Sequence, residues 1–444
     1  MNPATLKTRR HFLRTTLLGG AVSWTVPTFI SHTFAALQAE AAGRSVQPVT
    51  GKDSPILVVL QMAGGNDGLN TVVPFTNDHY FKARPKLGLT GNNILRLNDQ
   101  LGLHPNLVAF KDLFDEGQLS VVQGVGYPNP NRSHFRSTEI WQTASDSNKT
   151  EKYGWIGRYF DSACKGADPT VGVNVGRQMP QAFAGPKPVG VSLDNPGNYR
   201  FAPSDSEGGE MSSSEPFFRQ LNSPEMSLDP DANSGATIGA LPGIAQTHSA
   251  PLDFLERTAL DAQVSSDKIL AITKQISNQA AYPSSQLANS LKLVARLIGG
   301  DLPTRVFYVS QGGYDTHSNQ IGAHDRLLKD LGDSIKAFTA DLKAQKNFTR
   351  VLVMTFSEFG RRVAENGSGG TDHGAAAPMF LIGSNVKPGF LGREPSLAPA
   401  DLANGDLKFT TDFRSVYAGV LEGWLKTPCP PVLGRTFPPV ECLI

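Results

Sequence analysis

Residues 54–74 read SPILVVLQMAGGNDGLNTVVP, and this stretch decides the fold class. The apolar run Pro55 to Gln61 has no polar alternation, which is typical of a strand buried on both faces. The segment Gly64 to Gly68 that follows predicts a tight loop. A strand covered on both faces belongs to a parallel sheet with helices above and below it. The stretch therefore predicts an α/β protein.

The same alternation of buried strands and helices continues along the chain. Four further strands are predicted at 119–125, 305–310, 350–356 and 378–382. Helices are predicted at 104–119, 133–144, 251–300 with a break near Tyr282-Pro283, 321–346 and 412–425. This order predicts a mostly parallel, mixed sheet with helices on both faces, in one domain over residues 42–444. A polar segment at about 199–250, rich in Ser, Pro and Gly, predicts a surface insertion or lid.

Composition limits the classes of partner. The chain has 444 residues, of which 39% are hydrophobic, and a formal net charge of +1. A nearly neutral chain argues against nucleic acid as a partner, because phosphate binding requires a basic surface. No segment after the N-terminal region reaches about 18 uninterrupted apolar residues, so no membrane span is predicted in the mature chain.

The three cysteines are Cys164, Cys429 and Cys442. They form no C-x-x-C pair, which excludes a thiolate zinc site of that type. Cys429 and Cys442 could close a short C-terminal loop in an oxidising compartment, and three unpaired cysteines are the alternative.

The N-terminus has the three regions of a signal peptide. The charged segment TRRHFLR at 8–14 precedes an apolar run at 15–30, and Ala39-Glu40-Ala41 predicts cleavage after Ala41. The paired arginines followed by Phe-Leu resemble the twin-arginine consensus. We therefore expect a signal peptide at 1–41, export by the twin-arginine translocase, and a periplasmic or extracellular mature protein. An amphipathic or membrane-anchoring N-terminus is the alternative.

Polar residues follow the first four predicted strands and precede the last one. In open α/β sheets, ligands bind beyond the carboxyl ends of the strands. The segments that would meet there are Asn66-Asp67, Arg132-Ser133-His134, Asp315-Thr316-His317, Ser357-Glu358 with Arg361-Arg362, and Asp372-His373. A carboxylate and an imidazole two residues apart, as in Asp315 and His317, can bind one metal ion.

Each segment also has a purely structural interpretation. Asn66-Asp67 is ordinary turn chemistry, and Ser133 is suited to cap a helix. Asp315 and His317 could serve only local loop hydrogen bonds. Glu358 with the two arginines that follow could be a salt-bridged helix start.

Several long segments resemble one exported family, catalogued as domain of unknown function 1501. They are LVVLQMAGGNDGLNTVVP at 57–74, HPNLVAFKDLFDEGQLSVVQGVGYPNPNRSHFRSTEIWQT at 104–143, YDTHSNQ at 314–320, VMTFSEFGRR at 353–362 and GGTDHGAAAP at 369–378. That family is similar to the alkaline phosphatase and sulfatase superfamily in strand order and in the succession of polar sites.

This second resemblance implies roles for individual residues. Ser133 would be the nucleophile, His134 a base or ligand, and Arg132 or Arg361 would bind the anion. The implied ligands of one or two divalent ions (Zn, Mn or Ca) are Asp67, Asp315, His317, Glu358, Asp372 and His373. Two features depart from the superfamily. Ser357-Glu358 stands where an Asp-His pair is usual, and the spacing from Asp315 to His317 is tighter.

Two functions from different classes follow from these features. The first is an exported, metal-dependent hydrolase of phosphate or sulfate esters, acting on an anionic small molecule or a glycan ester. The second is a non-catalytic exported binding or assembly protein that retains the fold. The altered Asp-His position favours it, because a degraded ligand set is expected in a protein that has lost its activity.

Overall fold

The computed structural model describes residues 54–186, 190–196 and 265–444. The predicted signal peptide at 1–41 and the polar segment at 199–250 lie outside the described residues.

A central sheet dominates the described residues and contains nine strands. Their order is β11-β5-β10-β9-β1-β8-β6-β7, with β12 paired to β5, while β2, β4 and β3 form a small separate sheet. The bounds are β1 Ile56–Met62, β2 Val72–Val73, β3 Leu95–Arg96, β4 Gly102–Leu103, β5 Leu119–Gly126, β6 Gly172–Val175, β7 Val191–Leu193, β8 Val306–Gln311, β9 Val351–Phe356, β10 Ala377–Ile382, β11 Gly389–Leu391 and β12 Thr411–Asp412.

Strand β10 runs against the direction of the rest of the sheet. It pairs antiparallel with β5 and β9, whereas the other pairings in this sheet are parallel. The amino end of β10 therefore lies at the edge where β1, β5, β8 and β9 have their carboxyl ends. The loop that leads into β10 consequently meets the loops that leave those four strands.

Helices cover both faces of the sheet. Their bounds are α1 Gly68–Thr71, α2 Asp78–Ala83, α3 Val108–Asp115, α4 His134–Thr143, α5 Trp155–Ala163, α6 at 265–275, α7 Gln286–Gly299, α8 Gln320–Ala344, α9 Phe413–Gly419 and α10 Pro430–Leu433. A π-helical turn, Val420–Trp424, extends α9.

The side chains of β1 pack against helices on both faces of the sheet. Val58 and Leu60 belong to the hydrophobic core that includes residues of α3, α7 and α8. Leu57 and Val59 belong to the second core, with residues of α4, α5 and α9. Every residue of β1 is buried, so the unbroken apolar run follows directly from burial on both faces. The predicted mixed α/β sheet with helices on both faces is confirmed.

Some local predictions needed correction. The proposed helix over 412–425 is α-helical only to Gly419 and then turns π-helical. Strands β6 and β7, at one edge of the sheet, were missed because each is only three or four residues long.

All three cysteines are buried and unpaired, so the alternative without a disulfide is the one observed. Among the described residues, no helix is long and apolar enough to span a membrane.

Candidate metal centre

The predicted polar segments meet at the carboxyl edge of the sheet. Hydrogen bonds and ion pairs of the side chains connect His134 at the start of α4, Asp315 and His317 after β8, Glu358 after β9, and Asp372 and His373 before β10. Asp67, also predicted here, is held elsewhere, as described below.

One buried arginine ties these loops together. Arg361 donates through Nε to the carbonyl of Gly65 (2.6 Å), through Nη1 to that of Thr371 (2.8 Å), and through Nη2 to that of Tyr314 (3.0 Å) and to Asp315 Oδ1 (2.7 Å). Its side chain is fully buried. Arg361 therefore fixes the loops and cannot reach a bound anion, which corrects one predicted role. The helix start considered for residues 358–362 is also wrong, because this segment is not helical.

The Gly64-Gly65 loop has to be glycine for steric reasons. Gly65 has φ of +78°, and a Cβ there would lie 2.3 Å from the ring of Phe359. The same ring packs against the imidazoles of His134 and His373, with centroids 4.9 and 4.6 Å away. The glycine thus lets Phe359 support two of the site's histidines.

Three histidines of the site each bond a neighbouring acceptor through Nδ1. These pairs are His134 with Glu358 Oε1 (2.9 Å), His317 with Asp372 Oδ1 (3.2 Å), and His373 with the carbonyl oxygen of Arg132 (2.7 Å). A carbonyl or an ionised carboxylate can only accept, so Nδ1 carries the proton in each neutral ring. Each Nε2 is then left with a lone pair.

Those lone pairs converge on Asp315. Nε2 of His317 lies 2.9 Å from Nε2 of His373, and each lies 3.1 Å from Asp315 Oδ1. Nε2 of His134 lies 3.4 Å from Asp315 Oδ2. Acceptor atoms this close repel one another unless a cation, either a proton or a metal ion, lies among them.

The spacing suits a metal ion. Ligand atoms about 2.0–2.1 Å from a tetrahedral zinc ion are about 3.3 Å apart. His134, Asp315 and His373 offer ligand atoms that all lie within 4.8 Å of one another. Nε2 of His134 is buried and has no hydrogen-bond partner. The residues present therefore fit a divalent cation.

Asp315 is ionised over the usual pH range. Burial acts to raise its pKa, but the hydrogen bond and charge of Arg361, together with the neighbouring His373 and His134, outweigh burial and bring the pKa to about 2. The pKa of Asp372 is also lowered, first by the hydrogen bond from Asn366 and also by His317. The ligand set thus offers a fixed negative charge to a cation.

Asp67 lies in a buried ion pair. Arg84 Nη1 is 2.6 Å from Asp67 Oδ2, and both side chains are almost completely buried. Burial would raise the pKa of Asp67, but the Arg84 guanidinium holds it below its ordinary value. The structure therefore does not bring Asp67 to the histidines, and its carboxylate already has a cationic partner.

Ser133 and Arg132 lie beside the histidines but make no contact with them through their side chains. Ser133 occupies the N-cap position of α4, yet its hydroxyl caps no backbone group. The residue is exposed, and its hydroxyl forms no hydrogen bond with the described residues. The Arg132 guanidinium bonds Asp406 (Nε to Oδ2, 3.0 Å), and Arg362 Nε lies 3.7 Å from the other oxygen of Asp406.

Sequence reasoning missed Arg84, Gln320 and Asp406, which hold predicted site residues in place. Neither Arg84 nor Asp406 comes directly after a strand predicted from the sequence, so the carboxyl-end rule could not select them. Gln320 lies in the YDTHSNQ segment, and its position three residues after His317 was the only available signal.

Fold and site together define an α/β protein whose loops at the carboxyl edge of a mixed sheet form a candidate His/Asp metal centre. The chain belongs to the family described as protein of unknown function (DUF1501), whose profile matches residues 55–427. No curated protein sequence matches the chain significantly.

Similar solved structures are members of the alkaline phosphatase and sulfatase superfamily. The lipoteichoic acid synthase LtaP from Listeria monocytogenes is 9% identical, with 81% of this chain and 74% of that chain covered and a TM-score of 0.32. A Vibrio parahaemolyticus protein in the alkaline phosphatase superfamily is 10% identical, with coverage of 82% and 71% and a TM-score of 0.33. The alkaline phosphatase of the Antarctic bacterium TAB5 is 12% identical, with coverage of 76% and 94% and a TM-score of 0.30.

Proposed function

We propose that this protein is a metal-dependent hydrolase of phosphate or sulfate esters. One observation carries the proposal: three Nε2 lone pairs and the Asp315 carboxylate converge. A divalent cation bound there would polarise an ester oxygen and stabilise the negative charge that develops during hydrolysis.

His134, Asp315, His317 and His373 would hold the ion. Glu358 and Asp372, predicted from sequence as ligands, act instead behind the histidines, where they fix Nδ1 as the protonated nitrogen. Three imidazoles and one carboxylate suit zinc better than calcium, which prefers oxygen ligands. We therefore propose zinc first, then manganese.

Arg132 and Arg362 would bind the anionic part of the substrate. Asp406, which is buried, holds both guanidiniums, and their side chains are 39% and 37% exposed. The carbonyl of Arg132 bonds His373, so this pair lies beside the centre. We expect Arg362→Met to lower kcat/KM for an ester about 10- to 100-fold, the worth of a charge-assisted hydrogen bond. Arg177→Met, at a side chain that is 88% exposed, is the control for loss of charge.

Ser133 remains the proposed nucleophile. Its hydroxyl is exposed, has no protein partner among the described residues, and belongs to the residue before His134. Attack by this hydroxyl on the phosphorus or sulfur atom would break the bond to the ester oxygen and release the alcohol, which takes up a proton as the serine loses one. The covalent serine ester left behind would then be cleaved by water, which restores the hydroxyl and releases the inorganic anion. Ser133→Ala should abolish turnover while metal content stays at the wild-type level. Unchanged turnover would remove Ser133 from the mechanism.

The central experiment compares metal content with turnover. Purified protein is assayed on aryl phosphates and aryl sulfates before and after chelation, and its metal is measured by mass spectrometry. We expect about one equivalent of metal and turnover that chelation abolishes. His373→Ala should lose both, while His79→Ala, outside the centre, should keep both. Metal-loaded protein that cleaves neither class of ester would refute the hydrolase.

A second function is favoured by the contacts of Ser357 and Asp67. Ser357 donates its hydroxyl to the Met62 carbonyl and accepts from the Asn66 amide, and Asp67 is neutralised by Arg84. These contacts stabilise the fold, and a non-catalytic exported binding or assembly protein would be expected to have them too. Metal binding without turnover on any ester would favour this alternative.

Export is proposed from the twin-arginine motif. A reporter fused behind residues 1–41 should reach the periplasm only when the twin-arginine translocase is present. Changing Arg9 and Arg10 together to lysine should retain the reporter inside the cell. Export of that variant would contradict the assignment.

A further inference from the structure

Gln320, the first residue of helix α8, connects both loops that carry the proposed ligands. Its side-chain oxygen accepts a hydrogen bond from Thr316 Oγ1 (3.1 Å) and another from Thr371 Oγ1 (2.6 Å). Thr316 lies between Asp315 and His317, and Thr371 immediately precedes Asp372 and His373. One amide oxygen therefore links the loop after β8 to the loop before β10.

The other end of the same amide is anchored by a charge. Gln320 Nε2 donates to Asp67 Oδ2 at 2.5 Å, and Asp67 is ion-paired with Arg84. Because the carboxylate can only accept, it fixes the amide with its nitrogen toward Asp67 and its oxygen toward the two threonines. Gln320 and Asp67 are both 1% exposed, so water does not compete for these bonds.

We propose that Gln320 is a positioning residue that sets the separation of the ligand-bearing loops through Thr316 and Thr371, with Asp67 and Arg84 as its anchor. This inference rests on the proposed metal centre and gives Asp67 a function other than metal binding. The ligand atoms of the two loops lie only about 3 Å apart, as measured between His317 and His373 (2.9 Å). A small change in loop separation would therefore spoil the ligand geometry.

Backbone bonds also join these loops, which makes the side-chain contribution measurable without unfolding. The amide of Thr371 donates to the carbonyl of Thr316 (3.2 Å), and the amide of Gln320 donates to the carbonyl of Gly369 (2.9 Å). These bonds persist when the side chain of Gln320 changes. We expect its loss to loosen the loops rather than detach them.

The experiment compares Gln320→Met with a matched control, Thr339→Val, on the purified full chain. Met has a similar length but cannot bond the threonines. Thr339 lies on the same helix about 28 Å away, is buried, and bonds only carbonyls within its own helix. Co²⁺ is the probe, with affinity from titration and ligand geometry from its visible absorption spectrum.

We expect Gln320→Met to weaken Co²⁺ binding about 10- to 100-fold, as observed for partners that orient metal ligands, and to alter the spectrum. Thr371→Val should do the same. The double variant should be no weaker than Gln320→Met alone, because both changes break the same link. Thr339→Val should keep the wild-type affinity and spectrum even if its melting temperature falls. Wild-type Co²⁺ affinity and spectrum in Gln320→Met would overturn the proposal.

Hydrogen exchange tests the positioning role without any metal. In Gln320→Met, amides at 314–319 and 369–374 should exchange faster together, while those of β9 remain as in the wild type. If wild-type protein binds no Co²⁺ yet this paired change occurs, the metal centre fails and the positioning role stands. If both loops exchange as in the wild type, the positioning role is wrong whatever the metal result.

Discussion

Replacing Arg84 with methionine tests the buried ion pair of Asp67 most directly. Arg84 bonds Asp67 Oδ2 (2.6 Å), Asn70 Oδ1 (2.7 Å) and the carbonyls of Val363 (2.8 Å) and Arg362 (2.9 Å). The substitution would leave a buried carboxylate without a cation. Breaking a buried pair in this way costs about 3–5 kcal/mol. We expect that loss in the free energy of unfolding at pH 7, measured by urea denaturation.

The pH dependence identifies the cause. In the wild type the pKa of Asp67 is lowered, so the stabilisation by the pair is present above the unfolded-state pKa and disappears as the pH falls through the folded-state pKa. In Arg84→Met the lowering by the guanidinium is lost, so burial, opposed only by His324 and the Gln320 hydrogen bond, raises the pKa of Asp67 above its wild-type value. The carboxyl can then stay protonated in the folded variant at low pH. The stability difference between variant and wild type should therefore be larger at pH 7 than at pH 4.

Two further variants complete this test. Adding Asp67→Asn to Arg84→Met removes the unpaired charge, so the double variant should lose less stability than the sum of the two single losses. Co²⁺ stoichiometry should stay at one equivalent in Asp67→Asn, because this carboxylate is not a ligand. A loss of stability below about 1 kcal/mol for Arg84→Met, which is typical of an exposed pair, would refute the reasoning. So would a Co²⁺ stoichiometry below one equivalent at saturation in Asp67→Asn.

Three other predictions concern the site and its surroundings. Glu358→Gln should weaken Co²⁺ binding about 10- to 100-fold because His134 loses its carboxylate partner; Glu365→Gln, whose carboxylate bonds only backbone amides, should not change the affinity. Burial lowers the pKa of His324 to about 4. As the pH falls, this histidine therefore becomes protonated in the unfolded chain before it does in the folded protein. The free energy of unfolding should fall by about 3 kcal/mol between pH 6.5 and 4. His324→Gln should flatten that part of the urea-stability profile, and an unchanged slope would contradict the assignment. Zinc at 100 times its Kd should stabilise the protein by about 2.7 kcal/mol, seen as a higher melting temperature that EDTA reverses, whereas His373→Ala should show no such shift.

The fold could be predicted because its main signal is local. Pro55 to Gln61 has an unbroken apolar run only because helices cover both faces of β1, and the observed strand begins one residue later. The helix predicted at 133–144 is observed as His134–Thr143. It could be predicted because the residues that indicate a helix lie close together in the sequence.

The site was less predictable because its assignments depend on contacts between distant segments. The carboxyl-end rule selected His134, Asp315, His317 and His373, which the structure brings together. It could not separate ligands from their supports, since Glu358 and Asp315 are both carboxylates after a strand. Nor could it foresee Arg84, which is 17 residues from Asp67 in sequence and removes that carboxylate from the set. Arg361 was predicted to bind an anion, but only the fold shows that carbonyl oxygens surround it.

The fixed Nδ1 bonds of the three histidines have a consequence for assembly. Hydrogen bonds within the folded chain orient the imidazoles before any ion binds. Folding of the chain therefore does not require the ion. A zinc finger, by contrast, collapses when its metal is withdrawn. This protein should survive stripping with its architecture intact and accept a substitute ion afterwards. That property makes isotope exchange and spectroscopic metal replacement practical on a single preparation.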